Sequence, residues 1–279
     1  MSCEKICAKA LSALLGFCAA FGCCAVPAAA VPAAAAPAVV VPAAVTAAIA
    51  DPARPPEQVA RDAERRPGEV LAFAGIRRGD RVADFMSGGG YFTRLFSALV
   101  GDEGRVYAFL PEEQLKNCAP AETAGTRTIA GNAHYHNVKV LKAPVNDFSA
   151  PEPLDLIWTS LDFHDLYDSF MGPANVPQVV GTLFKALKPG GVLVIVDHVA
   201  QPGSKVRDTE SLHRIDPEVI IRTVTAAGFV LEAESNVLRN VADNHELAVF
   251  DPAIRGRTDQ VVFKFRKPLR AAARPQPLS

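Results

Sequence analysis

The sequence has little excess of either charge and no long run of one sign. Its 279 residues include 29 Lys and Arg against 30 Asp and Glu, which gives a formal net charge of -1. The basic residues are scattered along the chain. Because nonspecific attraction to nucleic acid or to anionic membranes depends on a positive field, we expect neither kind of partner.

Cysteine is nearly absent beyond the amino-terminal region. Cys118 is the one cysteine outside it, and the others are Cys3, Cys7, Cys18, Cys23 and Cys24. If the amino-terminal segment is removed, a single cysteine is left. No intrachain disulfide framework is then possible.

The amino-terminal segment has the form of a secretory signal peptide. Lys5 and Lys9 precede an apolar stretch at 10–26, and the small residues at 28–30 offer a cleavage site. We therefore predict a signal peptide at 1–30 and export to the periplasm or the medium, with no stable membrane insertion after cleavage. Two alternatives are lipid attachment at Cys23 or Cys24 and an uncleaved signal anchor, although the apolar run is shorter than the roughly 20 residues of a membrane-spanning helix.

Composition then changes twice along the chain. The Pro/Ala/Val tract at 31–53 has too little side-chain chemistry to pack, and we predict a flexible or extended linker there. A globular domain follows at 54–268, and a disordered tail is expected at 269–279.

Strand and helix patterns alternate through the globular part. Strands are expected at 81–85, 105–110, 137–142, 154–159, 191–199, 229–235 and 260–266, with helical stretches between most of them. Residues 192–196 form a continuous apolar run, as expected of a strand that is covered on both faces. This alternation predicts an α/β fold with a mostly parallel sheet and helices on both sides.

The most informative stretch is the turn after the first strand. Asp84 stands near the end of that strand, and Gly88, Gly89 and Gly90 follow where the chain must reverse. Residues without a Cβ tolerate positive φ and the close approach of another group. A helix is expected at 91–100, so the pattern predicts a ligand site at the carboxyl end of the strand.

This turn resembles motif I of the class I S-adenosylmethionine (SAM) dependent methyltransferases. Its spacing, Asp84-x-x-x-Gly88-x-Gly90, differs from the dinucleotide pattern Gly-x-Gly-x-x-Gly. The resemblance implies SAM as cofactor, with the glycines against its methionine part and Asp84 near its amino group. Met86 stands where the family usually has its first glycine. The cofactor-binding residues that we predict are Asp84, Met86, Ser87, Gly88, Gly89, Gly90 and Glu112.

Glu112 is included because most of the family has an acidic residue at the end of the second strand, which binds the ribose hydroxyls. Phe109 and Leu110 occupy that end here. Glu112 or Glu113 would reach the ribose from the loop. The alternative is a solvated helix start, where acidic side chains are favourable.

The resemblance covers roughly residues 55 to 268. It implies a Rossmann-like sheet of seven strands whose last strand is antiparallel. A narrower resemblance is to the uncharacterised, often exported "predicted methyltransferase" family, and three segments carry it: 88–93 (Gly-Gly-Gly-Tyr-Phe-Thr), 164–165 (His-Asp) and 212–216 (Leu-His-Arg-Ile-Asp).

Polar residues after the fourth strand are candidates for catalysis. His164 would serve as a general base toward the methyl acceptor, because an unperturbed histidine titrates near pH 6.5, and Asp165 would orient it. Tyr167 on the same loop is a candidate for substrate binding. The alternative is a helix-capping Asp165 and a solvated His164.

A second polar group follows the fifth strand. Asp197 and His198 end an apolar strand, where polar side chains usually face a site. We assign His198 to catalysis and Asp197 to substrate binding. His213 and Arg214 are expected to close the same crevice, with Arg214 able to bind a carboxylate or phosphate. Asp216 is expected to cap the next helix.

No metal site is predicted from the sequence. Asp162, His164, Asp197 and His198 are chemically suitable, but they come from separate loops without a short ligand spacing. The polar connection at 243–259 is interpreted either as a lid or as a hairpin loop with internal ion pairs.

The function that these features favour is SAM-dependent methyl transfer to a small-molecule acceptor. The alternative is an exported binding protein that has kept the fold and lost turnover, because a fold does not determine a reaction. The sequence does not identify the acceptor or the oligomeric state.

Overall fold

The structure is a computed structural model that describes residues 39–172 and 174–269. Seven strands form one sheet: β1 (Arg81–Phe85), β2 (Arg105–Pro111), β3 (Val138–Ala143), β4 (Leu154–Ser160), β5 (Leu187–His198), β6 (Val230–Ser235) and β7 (Gln260–Arg266). The α-helices are α1 (Ala43–Ile49), α2 (Pro56–Val59), α3 (Asp62–Arg65), α4 (Pro67–Ala74), α5 (Tyr91–Val100), α6 (Glu112–Asn117), α7 (Pro120–Ile129), α8 (Val176–Ala186), α9 (Thr209–Leu212) and α10 (Pro217–Ala226). Short 3₁₀ turns lie between several of them, and one at His164–Tyr167 follows β4.

The strand order is β3-β2-β1-β4-β5-β7-β6. The first five of these strands run parallel, and β7 is antiparallel to both of its neighbours. The predicted seven-stranded, mostly parallel sheet with an antiparallel last strand is confirmed. Since β1 lies between β2 and β4, the chain reverses its direction of travel across the sheet there, which is where α/β proteins bind ligands.

Alternate residues of the central strands enter two separate apolar cores. In β5, Leu193 and Ile195 belong to the core under α8 and α10, whereas Val192, Val194 and Val196 belong to the core under α1, α4 and α5. Successive side chains of a strand point to opposite faces, so the apolar run supplies both layers. Helices therefore cover both faces, as predicted.

The helix after the glycine turn has the predicted bounds, 91–100. Phe92, Leu95, Phe96 and Leu99 are all at most 5% exposed. The amphipathic spacing of its apolar residues packs this helix onto the sheet and holds its first residues beside the end of β1.

The predicted linker at 31–53 is wrong for part of its length. Residues 43–49 form α1, and Val45 and Ala48 are buried against α4 and α5. Gly68 in α4 faces this segment, and a Cβ there would be in ordinary van der Waals contact with Val41 and Ile49. Small side chains that supply little chemistry still pack well where two helices approach closely.

Two segments interrupt the regular elements. The charged segment before α4 contains two short helices, α2 and α3, instead of one continuous helix. Helix α8 ends at Ala186, and the Lys-Pro-Gly-Gly segment at 188–191 forms an irregularity in β5 between the paired residues Leu187 and Val192. The glycines here accommodate a bulge in the strand.

Several predictions concern residues that the structure does not describe. The signal peptide at 1–30, the first part of the linker and nearly all of the tail at 269–279 lie outside the described residues. Among the helices of the described ranges, none has the length and apolar character needed to cross a bilayer.

Candidate active site

A cavity of about 700 Å³ opens at the carboxyl ends of β1, β4 and β5. Ser87, Gly88 and Gly89 line it on one side, in the turn after β1. The opposite wall carries His164, Asp165, His198 and His213. The cavity thus joins the predicted cofactor turn to all three predicted catalytic residues, His164, Asp165 and His198.

The turn after β1 requires left-handed backbone at three positions. Met86 has φ 61°, Gly88 has φ 49° and Gly90 has φ 74°. Met86 therefore adopts the conformation that the family's usual first glycine would supply, and its side chain is buried in the core. The departure from the family pattern keeps the shape of the turn at the cost of some backbone strain.

The glycines of the turn have different surroundings. A Cβ on Gly88 would meet only the Glu122 carbonyl, at 3.9 Å, so this position faces open cavity. A Cβ on Gly90 would lie 2.6 Å from Cδ1 of Ile129. Gly90 therefore allows α7 to pack against the turn, and it is not among the cavity-lining residues.

Asp84 lies in the cavity wall at the end of β1. Its side chain is buried and accepts a hydrogen bond from the Thr93 hydroxyl on α5. Burial raises the pKa of Asp84 to about 7, against the opposing influence of that hydrogen bond and of the Arg65 charge. A cationic ligand group beside Asp84 would favour its ionised form.

Glu112, like Gly90, is a predicted cofactor residue that does not line the cavity. It is the first residue of α6, its side chain is exposed, and it is not among the cavity-lining residues. Its neighbour Glu113 accepts a hydrogen bond from the Val145 amide. The ribose role of Glu112 stays a prediction.

Gln114 and Arg65 line the cavity and were missed by sequence reasoning. Gln114 is 6% exposed, and its Oε1 has no hydrogen-bond partner among the described residues. Arg65 stacks over the Tyr91 ring at 4.8 Å and forms no ion pair with a carboxylate within the described ranges. Burial lowers the pKa of Arg65 to about 10, which leaves it charged at neutral pH. No sequence signal marks either residue, because each acquires its position through contacts between distant segments.

His164 is held between two carboxylates. Its Nδ1 donates to Asp197 Oδ1 at 2.7 Å, and its Nε2 lies 3.0 Å from Asp165 Oδ1. Burial disfavours charge on the ring, but Asp197 and Asp165 outweigh it and hold the pKa of His164 well above its ordinary value. At 2% exposed, His164 is not the solvated histidine of the alternative interpretation.

His198 has the opposite electrostatic setting. Its Nδ1 lies 2.8 Å from the Thr258 hydroxyl, and its ring centroid is 6.2 Å from that of His164. Burial, with the positive charges at His164 and Arg214, lowers the pKa of His198 well below its ordinary value. A neutral imidazole can accept a proton, so His198 suits a general base better than His164 does.

Asp197, Tyr167 and Arg214 are not among the cavity-lining residues. Asp197 accepts hydrogen bonds from the backbone amides of His164 and His198 as well as from the His164 ring. The Tyr167 hydroxyl lies 3.2 Å from the Thr223 hydroxyl on α10. These two side chains thus position other parts of the structure, and their predicted contact with substrate stays a prediction.

Arg214 is fully buried and pairs with Asp243 at 2.8 Å. It also donates to the carbonyls of Val199 and Leu247. Nε, Nη1 and Nη2 of Arg214 thus all donate to groups of the protein itself. The guanidinium group is therefore not exposed to the cavity, where it could bind a substrate carboxylate.

The connection between β6 and β7 forms part of the cavity wall. Val249, Phe250 and Thr258 line the cavity, and Gly256 approaches α3 closely enough that a Cβ would lie 2.7 Å from Glu64 Oε2. Asp259 pairs with Arg239 and His245 inside the same connection. The internal ion pairs of the second interpretation are present, and the segment also lines the cavity, whereas its role as a lid stays a prediction.

Comparison with curated proteins finds similarity to quinone-biosynthesis enzymes. The chain is 32% identical over 150 residues to the ubiquinone/menaquinone biosynthesis C-methyltransferase UbiE of Yersinia enterocolitica, a match that covers 52% of this chain and 54% of that protein. It is 25% identical over 199 residues to UbiE of a Marinomonas species, with 70% of each chain covered. The chain spans about half the length of the first of these relatives. No protein-family model matches the chain.

Comparison with solved structures shows the same fold. A SAM-dependent methyltransferase from Aquifex aeolicus superposes with a TM-score of 0.51 at 18% identity, covering 76% of this chain and 94% of that one. The [4+2]-cyclase SpnF superposes with a TM-score of 0.54 at 17% identity, covering 79% and 85%. The fold is therefore that of class I SAM-dependent methyltransferases, and the sequence is similar to that of methyltransferases over about half to two thirds of its length.

Proposed function

We propose that the protein is a SAM-dependent methyltransferase that acts on a small-molecule acceptor. The observation that carries this proposal is the continuous cavity, which runs from the glycine turn after β1 to the histidine group after β4 and β5. Its volume of about 700 Å³ lies in the range of small-ligand sites.

Three features of the cavity suit SAM. Gly88 leaves open space where a side chain would project, and Asp84 beside it is a partner for the amino group. Arg65 is a cavity cation that has no carboxylate partner among the described residues, and the carboxylate of the methionine part of SAM would supply one. Gln114 Oε1 is a buried acceptor with no donor in the described part of the chain, and a ribose hydroxyl would satisfy it.

When bound, SAM supplies an activated methyl group, so the protein contributes mainly alignment and proton transfer. His198 is kept neutral and is therefore available to accept the proton that an acceptor loses. Thr258 contacts its other ring nitrogen and orients it. Asp197 holds His164 and the backbone of His198 in one arrangement.

The acceptor that the comparisons favour is a reduced quinone or a similar ring carbon nucleophile. The support is the activity for which the curated relatives are named, C-methylation in ubiquinone and menaquinone biosynthesis. The apolar side chains Leu161, Phe170, Val249 and Phe250 in the cavity wall suit a flat apolar ring. Because the cofactor is shared among many reactions, this part of the proposal needs its own assay.

Calorimetry on the purified full-length chain tests cofactor binding. We expect SAM and its demethylated product to bind, and we expect Gly88→Val and Asp84→Ala to abolish the heat of binding. Gly131→Val is the matched control, because nothing lies within 4 Å of a Cβ at Gly131. Absence of heat and of a thermal shift at millimolar SAM would instead favour the binding-protein alternative.

Transfer of radiolabel from methyl-labelled SAM to a demethylated quinol tests the acceptor class. His198→Asn is expected to lower kcat at least 100-fold with little change in the affinity for SAM. His136→Asn, on the protein surface, is the matched control. Equal turnover of the His198→Asn variant and this control would remove His198 from the mechanism.

We also propose export of the protein, on the strength of the amino-terminal composition alone. Mass spectrometry of the protein recovered from the periplasm would give its first residue. A mature chain beginning near residue 31 is expected, whereas an intact or lipid-modified amino terminus would contradict cleavage.

A further inference from the structure

The acceptor end of the cavity contains a group of four side chains with metal-binding chemistry. His164, Asp165, Asp168 and His213 each present a ligand atom, and these atoms lie within 4.8 Å of one another. All four residues are buried or nearly so, and they come from the turn after β4 and from the residue that ends α9. Of these residues, only His164 belongs to the set that the sequence offered as chemically suitable for a metal.

Asp168 is the member of the group that contacts with the described residues satisfy least, since Thr209 is its polar side-chain neighbour. It is 3% exposed, and neither of its carboxylate oxygens has a hydrogen-bond partner among the described residues. The nearby Thr209 hydroxyl donates to the Val206 carbonyl at 3.2 Å. A buried carboxylate with two unpartnered oxygens is costly unless a cation compensates it.

The other three ligand atoms already have a suitable spacing. His164 Nε2 lies 3.4 Å from His213 Nδ1 and 3.0 Å from Asp165 Oδ1, and the last two atoms are 3.9 Å apart. In a tetrahedral zinc site the ligand atoms are about 3.3 Å apart. A point equidistant from these three atoms lies about 2 Å from each, which is the usual zinc bond length to nitrogen or oxygen.

The surroundings of His164 match those of a metal ligand. Its Nδ1 donates to Asp197 Oδ1 at 2.7 Å, so Nε2 is directed at the group and would bind an ion after losing its proton. Histidines that bind metals usually donate their second ring nitrogen to a carboxylate or carbonyl in this way. Asp197 is also anchored by two backbone amides, so the ring orientation is rigidly held.

We propose that His164, Asp165, Asp168 and His213 bind one divalent transition-metal ion of the Zn²⁺ type. Two imidazoles with two carboxylates suit zinc, iron or nickel, whereas Mg²⁺ and Ca²⁺ require oxygen ligands. The ion ties the turn after β4 to the end of α9, and three of its ligands line the cavity. The inference does not depend on methyl transfer, because metal binding is measured without SAM.

The test is a titration of the chelator-treated full-length chain with Zn²⁺, followed by calorimetry and by elemental analysis. To exclude thiol binding, the amino-terminal cysteines are replaced by serine in every protein compared: Cys3, Cys7, Cys18, Cys23 and Cys24. We expect one zinc per chain and a rise in Tm on binding. Mg²⁺ is expected to give neither.

Asp168→Asn and His213→Ala are expected to weaken zinc binding at least tenfold. In chelator, Asp168→Asn should be as stable as the parent or more so, because it removes an uncompensated buried charge. Weaker zinc binding without a loss of stability in chelator distinguishes a metal ligand from a residue that only supports the fold. The matched controls are Asp102→Asn and His136→Ala, an exposed pair 3.4 Å apart.

Two results would overturn the proposal. One is less than 0.2 zinc per chain in the parent that lacks the five amino-terminal cysteines, a threshold set at about one fifth of the single-site occupancy. The other is an Asp168→Asn variant that binds zinc as tightly as Asp102→Asn does. If His213→Ala fails to fold by circular dichroism, the Asp168→Asn comparison decides alone.

Discussion

At the residue scale, the turn after β1 shows that neighbouring glycines serve different purposes. Gly88 and Gly90 both have positive φ, but only Gly88 faces the cavity. Gly90 is required by packing, because Ile129 and Thr126 of α7 occupy the space that its Cβ would need. A motif that looks uniform in sequence thus combines a ligand position with a structural one.

This distinction predicts unequal losses of stability. Gly88→Ala introduces left-handed strain alone and should lower the free energy of unfolding by about 1 kcal/mol. Gly90→Ala adds overpacking against α7 and should lower it by about 3 kcal/mol. Urea denaturation of both variants, with Gly131→Ala as the unstrained control, measures the difference. Equal losses at the two positions would contradict the assignment of Gly90 to packing.

A second residue-scale prediction concerns the pH dependence of stability. Asp84 is ionised in the unfolded chain above pH 4, whereas burial keeps its folded pKa near 7. Between these values the folded state binds more protons than the unfolded state, so this residue makes stability fall as pH rises from about 4 to about 7. Above about pH 7 Asp84 is ionised in both states, so its destabilising effect on the fold no longer changes with pH.

Asp84→Asn removes this dependence. We expect the variant to gain stability relative to the wild type as the pH is raised from 5 to 8, as measured by urea unfolding at each pH. The contributions of the other ionisable groups to the free energy of unfolding are the same in both proteins and cancel in the difference. A constant difference across this range would show that Asp84 titrates near its ordinary value.

At the scale of elements, one buried ion pair holds the cavity wall in place. Arg214, next to the end of α9, pairs with Asp243 in the connection between β6 and β7, and both side chains are at most 1% exposed. Asp243 also accepts a hydrogen bond from the Asp259 amide, just before β7. The pair therefore joins segments that carry His213, Phe250 and Thr258 to the cavity.

Breaking the ion pair between Arg214 and Asp243 should strongly lower the free energy of unfolding. Asp243→Asn leaves the Arg214 charge buried without compensation, and we expect a loss of about 3 to 5 kcal/mol in urea unfolding. Arg61→Ala, which breaks the partly exposed pair with Glu64, should change stability by less than about 1 kcal/mol. A small effect of Asp243→Asn would mean that water or a second acceptor reaches Arg214.

At the scale of the whole molecule, the folded unit begins earlier than the composition predicts. Helix α1 contributes Val45 and Ala48 to the core on one face of the sheet. The same core contains Phe92 and Phe96 of α5, the helix that follows the glycine turn. The Pro/Ala/Val-rich region therefore supports the layer that positions the candidate active site.

Truncation tests this contribution. A chain beginning at residue 51 should be less stable than one beginning at residue 39, by about 2 to 4 kcal/mol, because Val45, Ala48 and their neighbours lose buried apolar contact. Urea unfolding of both truncations gives the difference, and Val45→Asp in the longer chain should reproduce most of it. Equal stability of the two truncations would show that α1 is dispensable.

The sequence predicted the parts of this protein that depend on local patterns. The bounds of β1, β7 and α5 follow from apolar periodicity, and the glycine turn follows from residues adjacent in the chain. The strand order agrees with the family resemblance. The first residues of β5 and the helix at 43–49 were not predicted. The bulge in β5 depends on pairing with β4, and the helix depends on contacts with α4 and α5, all of which are distant in sequence.

The tertiary structure alone decided which polar residues share the cavity and in what state. His164 and His198 look equivalent in sequence, yet two carboxylates surround one ring, whereas burial beside positive charges keeps the other neutral. Arg65 and Gln114 line the cavity, although no sequence pattern predicts this. Arg214, predicted to bind substrate, instead forms an internal ion pair with Asp243. Charge, burial and hydrogen bonding depend on all neighbours in space, and the chain brings those neighbours together only when it folds.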